Sequence, residues 1–125
     1  MSGSYVLIPQ VASSAGLTPV DQTTATATIV AGTIYINDRS GGVTYTLPAS
    51  ANLGYTFSIV GKLGPWTIAQ NANQQILMGS LSSTVGTGGS LSSTSNTDSV
   101  DLVCTTSGTS TVWRVKNAQG SPTIV

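Results

Sequence analysis

The chain has 125 residues, four basic and four acidic side chains, no histidine and a formal net charge of zero. Four Lys and Arg residues cannot build the basic stripe that neutralises phosphates, which argues against a nucleic-acid partner. Without histidine neither a Ser-His-Asp nor a Cys-His catalytic set can form, nor the common zinc and non-haem iron sites.

The length fits one domain. Charged residues make up only 6% of the chain and 37 of its residues are Ser or Thr, a neutral, hydroxyl-rich composition suited to pleated surfaces rather than to disorder. Residues 1–22 carry Pro9 and Pro19 between small-residue runs and read as an extended arm or linker, with residues 23–125 as a β domain. Nothing after Met1 reads as a signal peptide, and Tyr5–Ile8 is too short to insert in a membrane and is stopped by Pro9.

From Thr23 onward the apolar residues alternate. Ile34 and Ile36 point one way and Tyr35 and Asn37 the other. After the turn cluster Asp38–Gly42, Val43, Tyr45 and Leu47 share a face, so the two runs predict a β-hairpin. Tyr55, Phe57 and Ile59 alternate next, then Trp66, Ile68 and Gln70, then a short strand around Gln75–Met78. Residues 79–97 repeat Gly-Ser-Leu-Ser-Ser-Thr ten residues apart (Gly79 to Thr84, Gly89 to Thr94) and read as a low-complexity loop with at most two short edge strands. Val100, Leu102 and Cys104 share a face, Trp113 and Val115 another, and Pro122–Val125 could pair with an edge. Helical periodicity is absent. The expected fold is all-β, an antiparallel sandwich or barrel of about seven short strands.

Candidate chemistry is sparse. No catalytic set and no cofactor is expected, and the function read here is not enzymatic. With no glutamate, carboxylate chemistry would rest on Asp21, Asp38, Asp98 and Asp101; Asp98 with Asp101 is the only pair close in sequence, a weak calcium candidate whose ordinary reading is solvated loop carboxylates, and no metal site is predicted. The single Cys104 reads as a buried apolar side chain, and Trp66 and Trp113 as core. Sugar-binding surfaces use exposed aromatic faces flanked by polar side chains. By alternation that role falls to Tyr35, followed by Asn37, Asp38 and Arg39.

The segments VTYTLPASANLGYTFSIVGKLGPWTIAQNANQQILMG, GTGGSLSSTSNTDSVDLVC and TVWRVKNAQGSPTIV resemble a domain found at the C-terminal ends of phage tail fibres and trimeric, fibre-like bacterial adhesins. The resemblance covers about the last two-thirds of the chain. It implies a homotrimeric fibre tip or cap that sits on a virion or cell surface and attaches to a cell-surface glycan or protein receptor. The repetitive shaft that precedes such domains is not present here. A structural decoration or fibre-capping protein with no ligand of its own is the alternative.

Overall fold

A computed structural model of the chain describes residues 16–125, so most of the expected arm, residues 1–15, lies outside the described residues. Among them there is no helix. The strands are β1 (Thr18–Gln22), β2 (Thr26–Thr28), β3 (Thr33–Asp38), β4 (Val43–Thr46), β5 (Thr56–Leu63), β6 (Trp66–Ala69), β7 (Gln75–Met78), β8 (Leu81–Ser82), β9 (Ser90–Ser92), β10 (Ser99–Thr106), β11 (Val112–Gln119) and β12 (Thr123–Ile124). They form two sheets, in the order β1-β3-β5-β10-β11-β7-β8 and β2-β4-β6-β9-β12.

The first six strands alternate between the sheets. β1, β3 and β5 are parallel neighbours in one, and β2, β4 and β6 in the other. Parallel neighbours need a long crossover, and here the crossover out of one sheet is a strand of the other. The result is three stacked coils. Strand polarity then reverses in both sheets at the same level, where β10 runs antiparallel to β5 and β9 antiparallel to β6. β11 and β12 continue antiparallel, β7 lies parallel to β11, and β8 folds back on β7.

The all-β expectation therefore holds and the antiparallel one is corrected: half of the ten strand pairings are parallel. The predicted hairpin of β3 and β4 does not form, because Asp38–Gly42 is a corner between sheets. Alternation reports which face is buried, not which strand lies alongside. Thr18–Gln22, read as part of the arm, is a strand of the domain. The Thr18 amide donates to the Gly32 carbonyl at 2.7 Å, so in a parallel ladder residue 19 turns its amide position away from β3, where proline costs no bond.

One core joins the inner faces of both sheets, with Tyr35, Phe57, Ile59, Leu102 and Trp113 from one and Tyr45, Leu47, Trp66, Ile68 and Leu91 from the other. Phe57 packs edge-on to Trp113, and Tyr35 edge-on to Tyr45, each pair with ring centroids 5.2 Å apart. Cys104 is buried in the same cluster, as expected, and burial pushes its thiol up, only partly countered by its contact with the Thr106 carbonyl. Such a thiol is unreactive.

Several passages between sheets leave backbone carbonyls that buried side-chain amides answer. Gln22 donates to the carbonyls of Thr24 and Thr26. Asn37 Nδ2 lies 3.2, 2.9 and 3.3 Å from the carbonyls of Leu63, Gly64 and Pro65. Gln70 Nε2 reaches those of Gln74, Thr84 and Gly86 at 2.7, 2.9 and 2.9 Å, while the Ser83 hydroxyl donates to its carbonyl oxygen. Gln22 and Asn37 are register neighbours on successive coils.

Glycine completes the corners. Gly64 has φ +79°, and a Cβ there would lie 2.0 Å from the Arg39 carbonyl oxygen, whereas Gly54, at φ +88°, faces open space. Gly54→Ala should cost only the left-handed backbone penalty, about 1–2 kcal/mol. Gly64→Ala should add about 1–3 kcal/mol of overpacking. Urea unfolding of both variants measures the difference. Gln70→Leu, which strands three carbonyls and a hydroxyl, should lose at least about 3 kcal/mol and open amides 83–89 to hydrogen exchange.

Candidate functional site

The four residues singled out by sequence are split by the fold. Tyr35 and Asn37 lie inside, at 4% and 0% exposure, so the face assigned to Tyr35 is inverted; Ile34 and Ile36 are the half-exposed pair. The Tyr35 hydroxyl accepts from the Val30 amide at 2.8 Å and faces the Thr28 carbonyl. Tyr45 donates to Asn37 Oδ1 at 2.9 Å, and burial, reinforced by Tyr35, raises its phenol well above the ordinary tyrosine range. A polar cluster between the two sheets outweighs the preference for two isoleucines inward, because Asn37 is needed at the corner.

Asp38 and Arg39 remain at the surface. Asp38 Oδ2 pairs with Lys62 Nζ at 3.1 Å. Lys62, and then a hydrogen bond with Asp21, hold the Asp38 carboxyl below its usual range, while that same hydrogen bond raises Asp21. Arg39 turns the other way. Its Nη1 donates to the Gly42 carbonyl at 2.7 Å, and the side chain borders a cleft of about 380 Å³ on the outer face of the five-stranded sheet, together with Thr26, Thr44, Pro65 and Thr67. Thr26, Thr44, Thr67 and Ser92 are in register across β2, β4, β6 and β9. Their inward neighbours Ala27, Tyr45, Ile68 and Leu91 belong to the core or pack on it, so these four hydroxyls form one outward column.

A second cleft of about 490 Å³ opens between coils, lined by Val30, Ala31, Gly32, Gly54, Tyr55 and Thr56. Tyr55 is 40% exposed, beside the exposed Val30 and Leu53. Its backbone is fixed: the Tyr55 amide donates to the Asn52 carbonyl at 3.1 Å and its carbonyl accepts from Cys104 at 2.7 Å. Asn52 Nδ2 donates to the Tyr55 hydroxyl at 3.1 Å. A Cβ at Gly32 or Gly54 would meet nothing within 4 Å, so both glycines leave the cleft floor open. Tyr55 is the exposed aromatic that alternation placed with Phe57 and Ile59. The Asn52-Leu53-Gly54 turn immediately before it was the available signal that the strand had not yet begun.

Asp98 and Asp101 are not brought together as a site. Asp101 lies on the outer face and accepts from Ser58 at 2.5 Å. Asp98 is buried, and its carboxylate accepts from the Thr94 amide and hydroxyl at 2.8 and 3.0 Å and from the Ser95 hydroxyl and amide at 3.1 and 3.3 Å. No three Asp, Glu, His or Cys side chains cluster among the described residues. Burial alone would raise the Asp98 carboxyl, but the four donors outweigh it and hold it below the usual range. A depressed native value gives stability that is present above the unfolded value and lost as pH falls through the native one. Unfolding free energy should therefore drop progressively below about pH 4. Asp98→Asn should lose roughly 1–3 kcal/mol at pH 7 and show a flatter acid limb in urea titrations across pH.

Of the residues in the segments compared with fibre tips, Trp66, Ile68, Gln70, Gln74, Ile76, Asp98, Val100, Leu102 and Cys104 are buried, whereas Thr87, Gly88 and Asn117 to Gly120 are exposed. Trp66 Nε1 donates to the Asp98 carbonyl at 2.9 Å, and a Cβ on Gly120 would lie 1.9 Å from Asp98 Oδ1. No protein-family model matches the chain, and a search of curated proteins gives no match to it.

Proposed function

We propose that the chain is a non-enzymatic attachment module, the homotrimeric tip or cap of a viral tail fibre or adhesin, that engages a cell-surface glycan through the Tyr55 cleft. The observation that carries the reading is Tyr55 itself, an exposed ring on a pinned backbone with the Asn52 amide beside it and a glycine floor. Aromatic faces stack on the apolar faces of sugar rings, and neighbouring amides take the hydroxyls. Self-association is supported by the outer face of the seven-stranded sheet, where Ile34, Ile36, Val60 and Val103 are half-exposed. The neutral surface adds little repulsion between copies.

The alternative, a fibre-capping or decoration protein without a ligand, is favoured by the polarity reversal that ends the parallel coil in both sheets. The two readings separate on binding. Light scattering at micromolar concentration should give the mass of three chains, and a monomer would remove the fibre-tip reading. On immobilised neutral oligosaccharides Tyr55→Ala should reduce retention roughly tenfold with an unchanged melting temperature. Trimers that retain no glycan would favour the cap.

A further inference from the structure

We infer that the Arg39 cleft is a subsite for a carboxylate-bearing sugar, with Arg39 as its counter-ion and the Thr26–Thr44–Thr67 column as its hydroxyl partner; this deepens, and rests on, the glycan-attachment reading.

Charge accounting comes first. All four side-chain carboxylates have partners elsewhere: Asp21 and Asp38 share a hydrogen bond and Lys62, Asp98 is held by Thr94 and Ser95, and Asp101 by Ser58. Arg114 and Lys116 stand exposed in water, whereas Arg39 is half-buried. Among the described residues its guanidinium has one side-chain hydrogen bond, to the Gly42 carbonyl, and no carboxylate. That bond holds the planar fork in place and leaves donors unused, and a guanidinium fork matches a carboxylate in two parallel hydrogen bonds.

The cleft beside it selects the rest of the ligand. Thr26 and Thr44 are exposed and Thr67 half-exposed, on strands that lie about 4.8 Å apart, and the Ser92 hydroxyl donates to that of Thr67 at 3.2 Å. Each hydroxyl both donates and accepts, which suits a sugar bearing several hydroxyls rather than a simple anion. Pro65 supplies an apolar wall, and Gly41 and Gly42 let the backbone border the cleft. One cation is too few for a phosphodiester chain, which needs several to bind. A single acid group per sugar fits one guanidinium.

The test is titration calorimetry of the full chain with oligogalacturonate and with the matching neutral oligogalactoside, supported by amide chemical shifts. Oligogalacturonate should bind more tightly, shift the amides of Arg39–Thr44 and Thr67, and weaken as salt is raised. Arg39→Gln should reduce its affinity about 10- to 100-fold, leaving the neutral sugar's affinity unchanged. Arg39→Lys should recover only part, since the charge returns without the fork. Thr44→Val, an exposed and isosteric change, gives an independent reading if the Arg39 variants unfold, with an expected loss of about tenfold. Equal affinity for acidic and neutral sugars, or oligogalacturonate binding indifferent to both Arg39→Gln and Thr44→Val, would overturn the subsite while leaving glycan attachment standing. Absence of binding to either sugar by the folded wild-type chain would overturn both.

Discussion

Everything in this fold depends on feeding the corners. A chain that shuttles between two sheets must bend at every passage, and several bends turn carbonyls toward the interior. An unanswered buried carbonyl costs roughly 1–3 kcal/mol, so a few such corners would consume the stability of a small domain. Gln22, Asn37 and Gln70 answer nine acceptors from within, eight carbonyls and the Thr24 hydroxyl. Apolar residues in those positions would fill the volume and leave the bends open.

That requirement explains both what was legible in the sequence and what was not. The alternation of Val43, Tyr45 and Leu47, of Trp66, Ile68 and Gln70, and of Val100, Leu102 and Cys104 locates strands and their buried faces correctly, because packing against one core imposes it. It misassigns β3, where two isoleucines face outward so that Asn37 can face inward. It is silent on pairing: a strand that meets its neighbour after a detour through the other sheet has the same period as one in a hairpin. The corner at Asp38–Gly42 has the glycines of a hairpin turn because both need sharp bends.

The surface sites were legible only in part. Arg39 was found, but for a neighbourhood that dissolved when Tyr35 and Asn37 went inside; its real companions, Thr26, Thr44 and Thr67, lie on three different coils and are brought together only by register. Tyr55 was hidden by a pattern it fits and does not obey. Buried positions such as Trp66, Gln74 and Asp98 make the most recognisable motif in the chain, and such positions speak to how the domain is built. The surface residues free to vary around that scaffold are the ones that would differ between ligands.

The polarity reversal has a further consequence. Below it, each coil repeats the same step: strand, corner, strand. Above it, strands that begin antiparallel to the coils finish both sheets at once. Such a body is like a column with a fixed capital. Coils could be gained or lost beneath the cap by duplicating a single unit, because each coil meets only the one before and the one after. The height at which the clefts stand could then change over time without redesign of the part that ends the stack.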